Sequence, residues 1–182
     1  MLLSSIFYAK LLLLNIIEKK FMADKDFLVI KLEKHPTKDI LDDHVNGELT
    51  VIWRDWDKII VHEPKMVYVS SVFPGQVKGP HIHTKRNSYF SCIHGSVTFI
   101  VKDKNGKYHE IETNSDEPTL IHIPKNIASA HLNSGNEIAH VLTLADVSWK
   151  PNDNEMKNIT FDDYDWKKME SITSKTKSYP PN

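Results

Sequence analysis

From Phe27 onward the apolar residues repeat with a period of two rather than 3.6, and this constrains the fold more than anything else in the chain. Val97, Phe99 and Val101 alternate with Ser96, Thr98 and Ile100. Asp103-Lys104-Asn105-Gly106 then supplies turn chemistry, and Tyr108-His109-Glu110-Ile111 returns. Further short strands are expected over Phe27 to Ile30, Glu48 to Trp53, Met66 to Phe73, Thr119 to Ile123, Ala128 to Asn133 and His140 to Ala145. No stretch before residue 150 carries an amphipathic helix, and there is no internal repeat. Many short strands separated by turn signals predict an all-β sandwich or barrel, in which closing the sheet removes vulnerable edges. With only six glycines, each is expected to mark a turn.

The chain of 182 residues divides into one folded domain with two flanking segments. Residues 1–21 contain Leu11-Leu12-Leu13-Leu14, but Lys10 and Asn15 interrupt the run well short of the ~20 apolar residues a membrane helix needs. No small-residue cleavage site follows, so this segment is read as a leader or a mis-assigned start, with Met22 as the first ordinary residue. Residues 22–166 form the barrel domain. Residues 167–182, rich in Lys, Ser, Thr and Pro, read as a polar tail after one helical turn.

Charge narrows the function classes. Lys plus Arg number 23 and Asp plus Glu 24, a net charge of −1, which gives neither a nucleic-acid footprint nor an anionic-membrane surface. Cys92 is the only cysteine, so no intrachain disulfide and no cysteine-built zinc site can form; a reducing, cytoplasmic setting is expected. The ten histidines point to imidazole chemistry. They concentrate in Gly75-Gln76-Val77-Lys78-Gly79-Pro80-His81-Ile82-His83, where two histidines at i and i+2 of a strand share one face. Burying two imidazoles costs energy unless they are used or hydrogen-bonded, which favours a functional role for His81 and His83.

This run resembles the first motif of the cupin superfamily: a glycine, five residues, His-x-His, an acidic residue, then a glycine. Gly75, His81, His83 and Gly95 fall at its positions, and Ser88 stands where the acidic metal ligand would be. Of the second motif, Pro-x-Gly-x-x-His, Pro124 is present, whereas Asn126 and Ser129 replace the glycine and histidine. The resemblance implies a cupin-type double-stranded β-helix, a jelly-roll barrel, with two of the four metal ligands missing.

Val67-Tyr68-Val69-Ser70, Lys78-Gly79-x-His81, Asn46-Gly47-Glu48-Leu49, Ile123-Pro124 and Ile159-Thr160-Phe161-Asp162-Asp163 are similar to segments of the dTDP-4-dehydrorhamnose 3,5-epimerase family. The Gly-x-His-x-His run is closer still to the related dTDP-sugar 3,4-ketoisomerases. The resemblance implies an isomerase or epimerase of a nucleotide-linked 4-keto-6-deoxy sugar that needs no metal or other cofactor. It makes His81 the base, with His83 beside it and Asp163 as the carboxylate partner. It puts Lys78 where the family's phosphate-binding arginine stands, Ser88 near its lysine and Thr143 near its tyrosine. With neither lysine nor tyrosine retained, a ketoisomerisation or a single epimerisation is expected rather than a double one. Arg86, Tyr68 and His131 complete the expected substrate contacts, and Trp53, Trp56 and Tyr89 are further candidates for stacking. By the same analogy a homodimer is expected, with Phe27 to Leu32 crossing to the partner barrel.

Two alternatives stay open at the level of sequence. Three imidazoles suit a divalent transition metal, so His81 and His83 with His131 as a third ligand would make a metal-dependent cupin enzyme. The missing lysine and tyrosine would also fit a non-catalytic cupin that binds a sugar nucleotide.

Overall fold

The structure, a computed structural model, describes residues 26–56 and 59–166, so the expectations for the leader and the tail lie outside the described residues. Twelve strands are present among them: β1 (Leu28–Lys31), β2 (Lys34–Lys38), β3 (Val45–Thr50), β4 (Met66–Val72), β5 (Val77–His83), β6 (Ser88–His94), β7 (Ser96–Lys102), β8 (Tyr108–Asn114), β9 (Thr119–Ile123), β10 (Ala128–Leu132), β11 (Ala139–Ala145) and β12 (Met156–Asn158). Two five-stranded antiparallel sheets, ordered β1-β9-β6-β11-β4 and β12-β5-β10-β7-β8, face one another, and β2 and β3 form a separate hairpin. This is the all-β jelly roll of the cupin resemblance. Among the described residues no helix is long and apolar enough to cross a membrane.

Each sheet buries side chains on both faces, which explains why β6, β7 and β9 read as nearly continuous apolar runs. Between the sheets lie Val72, Phe90, Phe99, Val101, Ile121 and Val141. The outer face of the second sheet (Ile100, Ala128, Ala130, Leu132) is covered by the chain from Ile159 to Trp166, with Phe161 2% exposed. The outer face of the first sheet (Tyr89, Leu120, Leu144) is covered by Leu32, Ile52, Ile59 and Ile60. A fully buried Phe99 or Ile100 contributes about 1.5–3 kcal/mol by leaving water, so these layers rather than local propensity hold the strands in register.

The Asp103–Gly106 turn forms as expected: Asp103 Oδ1 accepts from the amides of Asn105 and Lys107 at 2.9 Å each, and Gly106 takes a φ of +82°. One expectation is corrected. The strand expected over Glu48 to Trp53 ends at Thr50, because Ile52 turns away to pack on the outer face of the first sheet. Within the chain, Phe27 to Leu32 supplies β1, which pairs with β9, Val29 opposite Ile121, and the Leu32 amide donates to Pro118 O.

Candidate active site

On β5 the period of two sends Ile82 outward into the apolar layer under Phe161 and turns His81 and His83 inward. They face a cavity of about 150 Å³ between the sheets, with Ser129 and His131 of β10 beside them and Tyr68 of β4 and Ser88 of β6 across from them. Lys78, three residues before His81, lines the same cavity. Strict alternation would turn it away, but Gly79 sits at φ +92° and the β5–β10 register shifts between Ser129 and His131. A Cβ on Gly79 would meet Ser129 O at 2.8 Å, so only glycine fits this bend.

The short strand β12 pairs with β5 in the register Met156 to His83 and Asn158 to His81. That register gives each histidine a partner. His81 Nδ1 donates to Asn158 Oδ1 at 2.9 Å, and His83 Nδ1 lies 3.0 and 3.1 Å from the two carboxylate oxygens of Glu155. A carboxylate only accepts, so His83 carries its proton on Nδ1 and presents the Nε2 lone pair. Glu155 is held from behind: its carbonyl accepts from the Thr84 amide at 2.7 Å and the Thr84 hydroxyl at 3.0 Å. Arg86 closes the group, with Nη2 over the ring edge, 2.8 Å from His83 Nε2 and 3.0 Å from Nδ1, and 3.4 Å from Glu155 Oε1; it donates to the nearer, unprotonated Nε2. Glu155 is 3% exposed and Arg86 6%.

Electrostatics favour the neutral form of His83 and His131. Burial, reinforced by the Arg86 guanidinium, holds the His83 pKa below the ordinary histidine value, while Glu155 opposes the shift. Burial, with Lys78 and His81 nearby, pushes His131 down to about 4, and its Nε2 is buried without a hydrogen-bond partner. A neutral imidazole steadied by a carboxylate and facing a cavity can act as a general base near neutral pH.

Of the residues singled out from the sequence, Tyr68, Lys78, His81, His83, Arg86, Ser88 and His131 converge on the cavity. Five others do not. Trp53 and Trp56 are exposed and stand outside its lining. Asp163 is corrected: its carboxylate is taken by Lys102 Nζ at 2.9 and 3.0 Å and by the Tyr108 hydroxyl, so it is not the partner of His81. After Asn158 the chain runs over the outer face of the second sheet with Phe161 pointing in, which leaves Asp163 outside above β7 and β8. Thr143 is 0% exposed on the same sheet face as its neighbours Tyr68 and Phe90, but unlike them it does not line the cavity, and its hydroxyl is buried without a hydrogen-bond partner. Tyr89 is a core residue on the outer face of its sheet, stacked on His122 with centroids 4.3 Å apart. Glu155 and Asn158 were missed, since neither belongs to a sequence pattern and only the β12 register brings them to the histidines.

The metal reading fares differently from the base reading. His81 and His83 ring centroids are 6.5 Å apart, and the ligand atoms of His81, His83 and His131 do not gather within 4.8 Å of one another. Among the described residues the one group that does is Asp39, Asp42 and His44. It lies at the tip of the β2–β3 hairpin, where Asp39 and Asp42 already accept from the amides of Leu41 and His44.

The family described as FdtA: WxcM-like, C-terminal, matches residues 26–165. The chain belongs to this family. No curated protein sequence matches it. Among solved structures, this FdtA-family chain is similar to a dTDP sugar isomerase from Desulfovibrio desulfuricans G20, with 18% identity, 76% of this chain and 86% of that one covered, and a TM-score of 0.64. It is similar to QdtA, a sugar 3,4-ketoisomerase from Thermoanaerobacterium thermosaccharolyticum in complex with TDP, with 20% identity, 85% and 96% covered, and a TM-score of 0.60. It is also similar to ChmJ, a 3'-monoepimerase from Streptomyces bikiniensis in complex with dTDP-quinovose, with 14% identity, 75% and 71% covered, and a TM-score of 0.62. At these identities the likeness is one of fold.

Proposed function

We propose that the protein is an isomerase of a nucleotide-linked 4-keto-6-deoxy sugar that works without a metal, with His83 as the base. The observation that carries this reading is the His83–Glu155 pair, at 3.0 Å, on a ring that faces the cavity. Family membership and the sugar isomerases and epimerases among the solved structures of like fold support it.

A proton next to a ketone is too weakly acidic to leave unaided. His83 Nε2 takes it from C3, the C–H electron pair becomes a C3=C4 double bond, and the carbonyl pair moves onto oxygen. His81, its Nδ1 tied to the neutral Asn158, presents Nε2 to the two sugar oxygens and carries the proton from O3 to O4. Return of the first proton from His83 to C4 completes the shift, so both carbon transfers use one wall of the barrel. That single-wall arrangement favours a 3,4-ketoisomerase over an epimerase, which needs a base and an acid on opposite faces. Lys78, at the cavity edge, meets the diphosphate as a point charge, and Tyr68, Ser88 and neutral His131 hydrogen-bond the sugar. With the buried thiol of Cys92, the protein acts in a reducing, cytoplasmic setting. It works as a homodimer in which the exposed hairpin side chains Ile40, Leu41, Val45 and Leu49 are covered.

The test is incubation of chelator-dialysed protein with dTDP-4-keto-6-deoxyglucose, followed by NMR of the sugar. A 3-keto, 4-hydroxy product supports the reading, an inverted centre moves it to an epimerase, and unchanged substrate overturns it.

A further inference from the structure

Arg86 is one of two arginines in the chain, and its side chain lines the cavity beside the base rather than the surface. A guanidinium in such a place is costly unless its charge and all its N–H groups are answered. Here the answer is partial. Nη2 reaches His83 Nε2 at 2.8 Å and Glu155 Oε1 at a looser 3.4 Å, while Nε is buried with no hydrogen-bond partner. The two Glu155 oxygens are already engaged by His83, at 3.0 and 3.1 Å. Arg86 is therefore incompletely satisfied in the resting site, with donor capacity left for an oxygen atom.

Charge accounting indicates when that oxygen arrives. Glu155 and Arg86 cancel while His83 is neutral. When His83 takes a proton from carbon, the three residues together gain one positive charge and the substrate gains one negative charge on oxygen. The same event frees the arginine, because a protonated Nε2 no longer accepts from Nη2. We propose that Arg86 is a catalytic residue whose guanidinium holds the oxyanion formed on the sugar ketone as the neighbouring carbon loses its proton. This rests on the isomerase reading above and adds the electrophile to it. The C–H pair becomes the C=C bond, the carbonyl pair goes to oxygen, the proton goes to His83 Nε2, and Arg86 neither gains nor loses a proton. Between the two sheets, a preorganised donor of this kind stabilises the developing charge more than mobile water would. Arg86 also keeps the imidazolium acidic, so that the proton returns readily to carbon.

The experiment compares parent protein, Arg86→Gln and Arg86→Lys with dTDP-4-keto-6-deoxyglucose, reading kcat and KM, and measures dTDP binding by calorimetry. For Arg86→Gln we expect kcat to fall about 100-fold or more, with KM and the dTDP Kd changed by less than about threefold. Arg86→Lys keeps the charge without the fork and is expected to lie between the two; it also serves if the glutamine variant does not fold. A weakened dTDP affinity with kcat retained would make Arg86 a phosphate clamp and overturn the proposal, as would unchanged kinetics in both variants. No conversion by the parent protein removes the isomerase reading and this role with it, whereas parent conversion that survives Arg86→Gln removes the role alone.

Discussion

His83 and Glu155 stand 72 positions apart in the chain, yet Nδ1 of one lies 3.0 Å from Oε1 of the other. Three residues of β12 pairing with the end of β5 bring them together, and the Thr84 amide and hydroxyl lock the Glu155 backbone in place. The pair makes a neutral imidazole with a defined tautomer, its Nε2 lone pair met by Arg86 Nη2 at 2.8 Å until the substrate proton arrives.

Glu155→Gln removes the charge that stabilises the imidazolium and leaves Arg86 buried without a counter-ion. We expect kcat to fall about 100-fold or more. Stability should fall by about 3 kcal/mol, because an unpaired buried charge is what remains. Steady-state kinetics and urea unfolding measure the two effects separately.

Asn158 is a neutral partner for His81, so replacing it with aspartate places a carboxylate 2.9 Å from Nδ1. Asn158→Asp should lower kcat about tenfold or more, because a charged partner holds on the ring the proton that His81 must hand from O3 to O4. Unchanged steady-state kinetics would mean that the two side chains do not meet in solution.

Asp163 is the control. Its carboxylate bonds Lys102 and Tyr108 outside the barrel, with the side chain 65% exposed. Asp163→Asn should leave both turnover and the melting midpoint where they were, since exposed ion pairs contribute little. Loss of turnover would return Asp163 to the site and displace Glu155 from its role.

Stability should depend on pH in one direction. His122 and His131 are held down to about 4 by burial, against about 6.5 in the unfolded chain. As pH falls the unfolded chain takes up protons first, so stability is full above about 6.5 and drains away between about 6.5 and 4. Each ring accounts for roughly 3 kcal/mol over that range. Urea midpoints at pH 8, 7, 6 and 5 check this: they should hold between 8 and 7 and drop below 6, and a flat profile would contradict it.

The strand at Ala128 to Leu132 and the turn at Asp103 to Gly106 were legible because strands of alternating burial and tight turns impose local chemistry. β2 and β12 were not, since β12 is exposed along its length, β2 nearly so, and neither shows an apolar period. The site divides along the same line. His81 and His83 announce themselves through spacing on one strand. Glu155 does not, because its neighbours Asp153, Asn154 and Met156 form no pattern and its role is set by a ladder across the chain. Asp163 looked right by family pattern, but the burial of Phe161 two residues earlier carries it to the other side of the sheet.

The most direct measurement of the base assignment follows the C3 hydrogen. Parent protein and His83→Asn are each incubated with dTDP-4-keto-6-deoxyglucose deuterated at C3, and the recovered sugar is read by NMR. Proton abstraction by His83 predicts that the parent moves the deuterium to C4 or loses it to solvent, while His83→Asn leaves it at C3. Equal loss of label from C3 by both proteins, or none by the parent, would contradict it.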